Sequence, residues 1–230
     1  MRQAAIAVKS IFRTACLRHS GICLMFDKPI VMLDFETTGL SPASGDRITE
    51  VAALRIENGA IVDRFVSLVN CHVRVPFYIT QLTGITQRMV DTAPCVSQVI
   101  PELLRFIGRD ALSAHNASFD EKFLLAESAA FGLQPQHERL ICSLKLARRL
   151  FPGLPSYKLS TLSSSLGIRF NGSAHRAEAD AEVSAQVLIH IGEHLVRTCG
   201  VAQIEPQLLE RLNRISAARV PDFLGKAFRH

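Results

Sequence analysis

Apolar and polar positions along the chain predict a sheet that begins as a meander. Ile30-Val31-Met32-Leu33 is a continuous apolar run, which is typical of a central strand buried on both faces. Residues 47–57 and 60–69 are rich in β-forming side chains and are joined at Asn58-Gly59, the strongest short hairpin signal. The first three strands are therefore predicted to pair antiparallel.

Beyond residue 94 the pattern changes to helices that alternate with short strands. The run 96–107 has helical spacing, and residues 111–114 and 139–142 are predicted to be short buried strands. Three further helices are predicted at 143–151, 158–166 and 176–197. These elements predict an α/β fold with a mixed five-stranded sheet flanked by helices.

Two of the predicted helices direct an aspartate toward the sheet. Ser118 and Glu121 have capping-box spacing, so a helix is predicted to start there with Asp120 in its first turn. In the helix predicted at 176–197, Asp180 lies at the top of the apolar stripe. Both carboxylates should therefore face the sheet.

The chain has 230 residues and a hydrophobic content of 48%, which suits one domain with a substantial core. Its net charge is +5 and its pI about 9.1. Residues 1–26 contain four basic residues and no acid, so they carry +4 and leave +1 for the rest. Because the body is nearly neutral, charge alone is poor support for a nucleic-acid partner.

Residues 1–26 are predicted to be a basic N-terminal leader. Their composition resembles that of organelle transit peptides, but a loosely packed helix or a start at Met25 explains it equally well. Cys16, His19 and Cys23 suggest zinc ligands, but a fourth ligand is missing and the spacing matches no common finger.

The six cysteines show no regular framework, which favours reduced thiols in a cytoplasmic protein. No apolar run approaches the roughly 18 residues of a membrane span.

The C-terminal residues 201–230 are predicted to be a helical extension. Leu208, Leu209, Leu212 and Ile215 have helical spacing after Pro206. This amphipathic helix either packs on the domain or binds a partner, and packing is the preferred interpretation.

The candidate chemistry lies in four carboxylates and one histidine. Asp34 and Glu36 lie two residues apart on a strand, so both carboxylates point the same way. With Asp120 and Asp180 they would repel one another and retain protons unless cations compensated them. Oxygen ligands select Mg²⁺ or Mn²⁺, and two such ions suit phosphoryl chemistry. His175, five residues before Asp180, is the natural general base, since an unperturbed imidazole titrates near physiological pH.

The motifs containing these residues resemble those of the DEDDh group of DnaQ-like 3′–5′ exonucleases, within the ribonuclease H-like fold. The resemblance covers about residues 28–195, and it is closest to bacterial proteins similar to the epsilon proofreading subunit of DNA polymerase III. The motifs that carry the resemblance are Asp34-Phe35-Glu36-Thr37-Thr38-Gly39-Leu40, Asp46-Arg47-Ile48, Leu82-Thr83-Gly84-Ile85-Thr86, Ala114-His115-Asn116-Ala117-Ser118-Phe119-Asp120 and His175-Arg176-Ala177. The resemblance implies an exonuclease domain at residues 27–200.

The resemblance also implies a role for each site residue. Asp34, Glu36 and Asp180 would hold the metal that carries the attacking water, Asp34 would bridge to a second ion, Asp120 would support that ion, and His175 would deprotonate the nucleophile. Residues implied in substrate binding are Thr37, Thr38, Gly39, Asn116 and Phe119. Relatives often have a glutamate and a histidine where Tyr78 and Thr83 stand here, so the resemblance does not carry over the family's recognition of the terminal sugar.

Four basic residues also lie around the expected groove. Lys145, Arg148, Arg149 and Lys158 are predicted either to contact phosphates or to form a solvated helix face.

These observations predict an enzyme that removes nucleoside 5′-monophosphates from the 3′ end of single-stranded or frayed DNA, in proofreading or repair. The expected partners are nucleic acid with a free 3′ end and a DNA polymerase catalytic subunit. An enzyme acting on RNA or short oligonucleotides is one alternative, since it would share all five site residues. A non-catalytic polymerase-docking or nucleic-acid-binding module is the other.

Overall fold

A five-stranded mixed sheet forms the centre of the molecule. The computed structural model describes residues 25–169, 175–201 and 203–228. The proposed zinc ligands and the predicted leader, apart from its last two residues, therefore lie outside the described residues. The strands are β1 (Ile30–Thr37), β2 (Ile48–Glu57), β3 (Ala60–Leu68), β4 (Ala111–Ala114) and β5 (Leu140–Cys142). Their order in the sheet is β3-β2-β1-β4-β5.

The pairing of the strands confirms the predicted meander. β1 pairs antiparallel with β2, and β2 pairs antiparallel with β3 across Asn58-Gly59. β4 and β5 join on the other side of β1 with parallel pairing. Asn58 and Gly59 both have positive φ, at 51° and 73°, as a type I′ hairpin turn requires. The sheet is thus the mixed, ribonuclease H-like sheet that was predicted.

Helices cover both faces of this sheet. They are α1 (Phe77–Thr83), α2 (Gln87–Asp91), α3 (Val96–Ile107), α4 (Ala117–Ala130), α5 (Ser143–Leu150), α6 (Leu159–Ser165), α7 (Ala177–Cys199), α8 (Pro206–Arg214) and α9 (Val220–Ala227). Alternate residues of β1 point to opposite faces, so Ile30 and Met32 pack with α7 while Val31 and Leu33 pack with α3 and α4. A strand buried on both faces explains the continuous apolar run before Asp34.

The start of α4 differs from the prediction. The helix begins at Ala117, and its N-cap is Asn116 in a left-handed conformation with φ 74°, without a side-chain capping bond. The predicted capping box of Ser118 and Glu121 is therefore wrong, because the turn at Asn116 starts the helix before Ser118 can act as a cap. Asp120 nevertheless lies in the first turn, as predicted, and is buried.

The C-terminal helix α8 packs on the same core as α7. Leu208, Leu209 and Leu212 are buried in this cluster, whereas Ile215 lies just beyond the helix. The side chain of Asn213 donates to the Cys142 carbonyl at 3.1 Å and accepts from the Cys142 amide at 2.6 Å. Within the described residues, no helix is both long and apolar enough to cross a membrane. The domain boundaries at residues 26 and 200 stay a prediction.

Candidate metal centre

Three of the predicted site carboxylates meet at the centre of the sheet. Asp34 and Glu36 project from the same face of β1, and Asp180 comes from the first turn of α7. One oxygen from each carboxylate lies within 4.8 Å of the others. β1 continues to Thr37, so the two acids lie within the strand and not beyond its end. The two-residue spacing and the apolar stripe of α7 together produce this cluster.

Asp120 reaches the same region from α4. Its side chain is 4% exposed, and its Oδ1 accepts a hydrogen bond from the Phe35 amide at 3.2 Å. Phe35 lies between Asp34 and Glu36, so this bond ties α4 to the strand that carries both acids. Asp120 lies outside the set of three described carboxylates that approach within 4.8 Å of one another.

His175 lies on the solvent side of the cluster. Its side chain is exposed, and its backbone has a positive φ of 63°. The His175 amide donates to Asp180 Oδ2 at 3.1 Å. This bond connects the predicted base to a predicted metal ligand.

Burial, and to a smaller extent repulsion between neighbouring acids, raises the pKa values of all four carboxyl groups. Burial, followed by repulsion from Asp120 and Glu36, raises the pKa of Asp34 well above its usual range. Burial and the charges of Asp180 and Glu50 raise the pKa of Glu36 to about 8, although Arg176 partly opposes this shift. Burial raises the pKa of Asp120 to about 8. Burial also raises the pKa of Asp180, against the opposing hydrogen bond from His175.

This donor set fits a divalent cation. Clustered carboxylates that hold protons near neutral pH become fully charged once a cation compensates them. The converging atoms of Asp34, Glu36 and Asp180 are all oxygens, which are the ligands that Mg²⁺ and Mn²⁺ prefer. The cluster can therefore bind a hard divalent ion beside an exposed histidine.

The predicted substrate-binding segment Thr37-Thr38-Gly39 forms a tight turn after β1. Thr37 Oγ1 donates to the Gly39 carbonyl at 2.6 Å, and Thr38 Oγ1 accepts from the Arg47 amide at 3.0 Å. A Cβ added to Gly39 would lie 2.4 Å from Asp46 Oδ1, so any other residue there would displace the Asp46 carboxyl group or the turn. The hydroxyl groups of both threonines therefore stabilise the turn.

The other predicted substrate contacts lie beside this turn. Asn116 is exposed, and Phe119 is half-buried with its ring 5.1 Å from that of Phe123. Lys122 lies 4.9 Å from the centroid of Phe119, and its amine donates to the Leu40 carbonyl. Lys122 thus connects α4 to the residue after the turn and places a positive charge near the site.

The four basic residues predicted around the groove have different environments. Lys145 and Lys158 are exposed, and Arg148 lies over the ring of Tyr157 with 5.7 Å to its centroid. Arg149 donates from Nε to the Ile215 carbonyl at 2.6 Å and therefore holds the segment after α8. Its environment indicates a structural role for Arg149, whereas contact of the other three with phosphates stays a prediction.

Two ion pairs border the site and were not predicted from the sequence. Glu50 is 3% exposed and binds the guanidinium of Arg176, while Glu127 binds that of Arg47 through two bonds of 2.7 Å. Glu50 and Glu127 appear in the sequence as ordinary strand and helix acids. The one available signal was an acid inside a β-rich, mostly apolar run, as in Ile48-Thr49-Glu50-Val51, since a buried carboxylate requires a partner.

The sequence and fold of the chain match known exonucleases. The family model described as Exonuclease (RNase_T) matches residues 31–188. DNA polymerase III subunit epsilon of Aquifex aeolicus (strain VF5) is 34% identical over 171 residues, which cover 74% of this chain and 84% of that protein. The 3′-5′ exonuclease DinG of Bacillus subtilis (strain 168) is 36% identical over 192 residues, or 84% of this chain. The chain spans 20% of the length of that DinG protein and 13% of a PolC-type polymerase III of Clostridium perfringens (strain 13 / Type A).

Solved structures with this fold include nucleases bound to nucleic acid or nucleotide. Exonuclease X in complex with 5′ overhanging duplex DNA has 28% identity and a TM-score of 0.62, covering 80% of this chain and 99% of that chain. The nuclease domain of 3′hExo, described as a DEDDh family member bound to rAMP, has 23% identity and a TM-score of 0.63, covering 72% of this chain and 92% of that chain; at this identity the likeness concerns the fold alone. Since the family model spans most of the described sheet and helices, the chain belongs to the exonuclease family.

Proposed function

We propose that this chain is a metal-dependent 3′–5′ exonuclease that releases nucleoside 5′-monophosphates from single-stranded or frayed DNA. The convergence of Asp34, Glu36 and Asp180 within 4.8 Å carries this proposal. Similarity to the 3′-5′ exonuclease DinG supports the direction of hydrolysis, and similarity to a DNA polymerase III epsilon subunit supports the preference for DNA.

The carboxylates in this proposal hold two Mg²⁺ ions, for which Mn²⁺ can substitute. Asp34, Glu36 and Asp180 would hold one ion. Asp120, whose charge repels that of Asp34, would help to hold the other. When bound, such a pair stabilises the attacking and leaving oxygens of an in-line displacement. The buried position of Asp120 and its bond to Phe35 keep its carboxylate oriented toward the strand.

His175 acts in this proposal as the general base. Its exposed side chain can reach a water molecule beside the acid cluster, and its backbone is tied to Asp180. The imidazole accepts the proton of the attacking water as the new bond to phosphorus forms. As that bond forms, the bond between phosphorus and the 3′ oxygen of the preceding nucleotide breaks. The 3′ oxygen takes a proton from solvent, and a nucleoside 5′-monophosphate leaves.

The substrate strand is proposed to pass between the turn after β1 and the start of α4. The Thr37 and Thr38 hydroxyls already make hydrogen bonds within the turn. The terminal nucleotide is therefore proposed to contact the backbone groups of the turn, which it can approach closely at Gly39. Asn116 and Phe119 line the opposite side. The positive charge of Lys122 between these two elements suits a phosphate backbone.

A DNA polymerase catalytic subunit is the proposed protein partner. The similarity to a polymerase III epsilon subunit supports this assignment, since the match covers 84% of that subunit. Size-exclusion chromatography of the chain with the polymerase III catalytic subunit of the same organism should give a joint peak. Separate elution at micromolar concentrations would favour a stand-alone nuclease.

The proposal is tested with 5′-labelled single-stranded DNA, mismatched duplex DNA and single-stranded RNA of one sequence, each with Mg²⁺ or with EDTA. We expect a ladder that shortens from the 3′ end, faster on both DNA substrates than on RNA, and no products in EDTA. A faster reaction on RNA would assign the exoribonuclease alternative. Complete inactivity on all three substrates would favour the non-catalytic module.

His175→Ala should lower kcat about 10²- to 10⁴-fold with little change in KM, because it removes the proton acceptor and leaves the acid cluster intact. Steady-state kinetics measure kcat and KM, and single-turnover measurements with excess protein measure the rate of the chemical step. His72→Ala is the matched control, since the His72 ring is exposed and contacts Cys95. Equal rates for His175→Ala and the unmodified protein would exclude this residue as the base.

A further inference from the structure

A buried glutamate lies next to the acid cluster but makes a different set of bonds. Glu50 on β2 stands opposite Glu36 of β1 in the strand register, and its side chain is 3% exposed. Its carboxylate accepts from Arg176 Nε at 3.0 Å, from Arg176 Nη2 at 2.6 Å and from the Ala177 amide at 3.0 Å. These three bonds satisfy a carboxylate that would otherwise be costly to bury.

Arg176 and Ala177 form the junction between His175 and the helix that carries Asp180. Arg176 is the N-cap residue of α7 and makes no side-chain capping bond of its own. Glu50 on the neighbouring strand acts as the cap instead. Its carboxylate accepts a hydrogen bond from the Ala177 amide, the first of the helix, and places a negative charge at the N-terminus of α7. The start of α7 is thus fixed to β2 by a side chain outside the helix.

Two carboxylates therefore hold the chain at His175 and at the two residues after it. Asp180 accepts the His175 amide at 3.1 Å, and Glu50 holds the next two residues of the chain. The positive φ of His175, 63°, is a strained conformation for a residue with a side chain. Such a conformation persists when surrounding bonds fix it, and these bonds do so here.

We propose that the Glu50–Arg176 pair is a positioning device that fixes His175 against the acid cluster. The inference rests on the proposed function of His175 as the base. Neither side chain is assigned a contact with substrate or metal, since all the bonds of the Glu50 carboxylate described above lead to the start of α7. A displacement of about 1 Å in a reacting group can cost on the order of 10²-fold in rate.

The test uses Arg176→Lys, which keeps the charge but loses the two-pronged contact of the guanidinium. The control is Arg139→Lys, because Arg139, just before β5, forms a single-contact ion pair of 2.7 Å with Glu210 of α8. We expect Arg176→Lys to lower kcat on single-stranded DNA about 10- to 100-fold, with KM changed less than about threefold. Arg139→Lys should leave both constants unchanged.

Two further readouts separate positioning of the base from a general structural effect. In a His175→Ala background, Arg176→Lys should cause no additional loss of single-turnover rate, since it acts through a side chain that is already absent. Mn²⁺ affinity, measured by titration calorimetry, should change less than about threefold. Should Arg176→Lys fail to fold, Glu50→Gln replaces it, because it keeps an acceptor oxygen in the same place.

The inference would be overturned if Arg176→Lys lowered the single-turnover rate as much in the His175→Ala background as in the unmodified protein. A large loss of Mn²⁺ affinity in Arg176→Lys would overturn it too. Normal kcat in Arg176→Lys would overturn it as well, while leaving the exonuclease assignment intact. Failure of the proposed function looks different, because the unmodified protein would then produce no 3′-shortened products.

Discussion

At the residue scale, a few residues constrain the site more tightly than their type suggests. Gly39 is one of them, because the space that a side chain would occupy is filled by the carboxyl group of Asp46. That carboxyl group in turn accepts the Ser41 amide at 2.9 Å and so closes the loop that follows β1. The turn next to Glu36 therefore depends on a glycine at this position.

Gly39→Ala should destabilise the protein by about 1–3 kcal/mol, as overpacking typically does. Its Cβ would lie 2.4–2.5 Å from the Asp46 carboxyl atoms, so the turn must move or Asp46 must give up its bond to the Ser41 amide. Exonuclease activity should fall with it. Denaturant unfolding measures the stability. Wild-type stability in Gly39→Ala would contradict this packing.

At the element scale, the sequence predicted strands and helices well where local and tertiary preferences agree. The Asn58-Gly59 hairpin, the helix Val96–Ile107 and the strand Ala111–Ala114 all follow directly from their patterns. The start of α4 was missed, because a left-handed Asn116 replaces the predicted capping box. Glu50 and Arg176 were missed since their pairing joins residues far apart in the chain.

Asn213→Ala should weaken the attachment of α8 to the sheet. The Asn213 side chain bonds both the amide and the carbonyl of Cys142 at the end of β5, so its loss leaves two backbone groups without these partners. We expect the free energy of unfolding to fall by about 1–3 kcal/mol, as for a lost buried partner, with kcat unchanged. Thermal unfolding and the 3′-end assay measure the two effects. A large fall in kcat at full stability would show that α8 contributes to the site.

At the scale of the whole molecule, the charge of the acid cluster links metal binding to stability. The pKa values of Glu36 and Asp120 are about 8, against 4.5 and 3.8 for ordinary groups. Groups whose pKa is raised on folding stabilise the folded state below the unfolded pKa, and that contribution is lost as pH rises through the folded pKa. The sequence indicated this cluster from the strand spacing, but the degree of burial that raises the pKa values required the folded structure.

The metal-free protein should accordingly lose thermal stability between pH 6 and pH 9. Mg²⁺ should raise Tm more at pH 9 than at pH 6, because the carboxylates bind the cation only after losing their protons. Thermal unfolding in EDTA and in excess Mg²⁺ across this range measures both effects. Glu36→Gln should reduce the pH dependence in EDTA. A metal-free Tm that rises steadily from pH 6 to pH 9 would contradict the assigned pKa shifts.

The most direct test of the metal centre compares Asp34→Asn with Asp63→Asn in the 5′-labelled single-stranded DNA assay. Asp34 is in the cluster, whereas Asp63 lies on β3, where its side chain accepts the Arg64 amide at 2.8 Å. The predicted result is a Mg²⁺-dependent ladder from the unmodified protein and from Asp63→Asn, with no shortening from Asp34→Asn or in EDTA. Shortening from the 3′ end by Asp34→Asn, at the rate of the unmodified protein, would contradict the account.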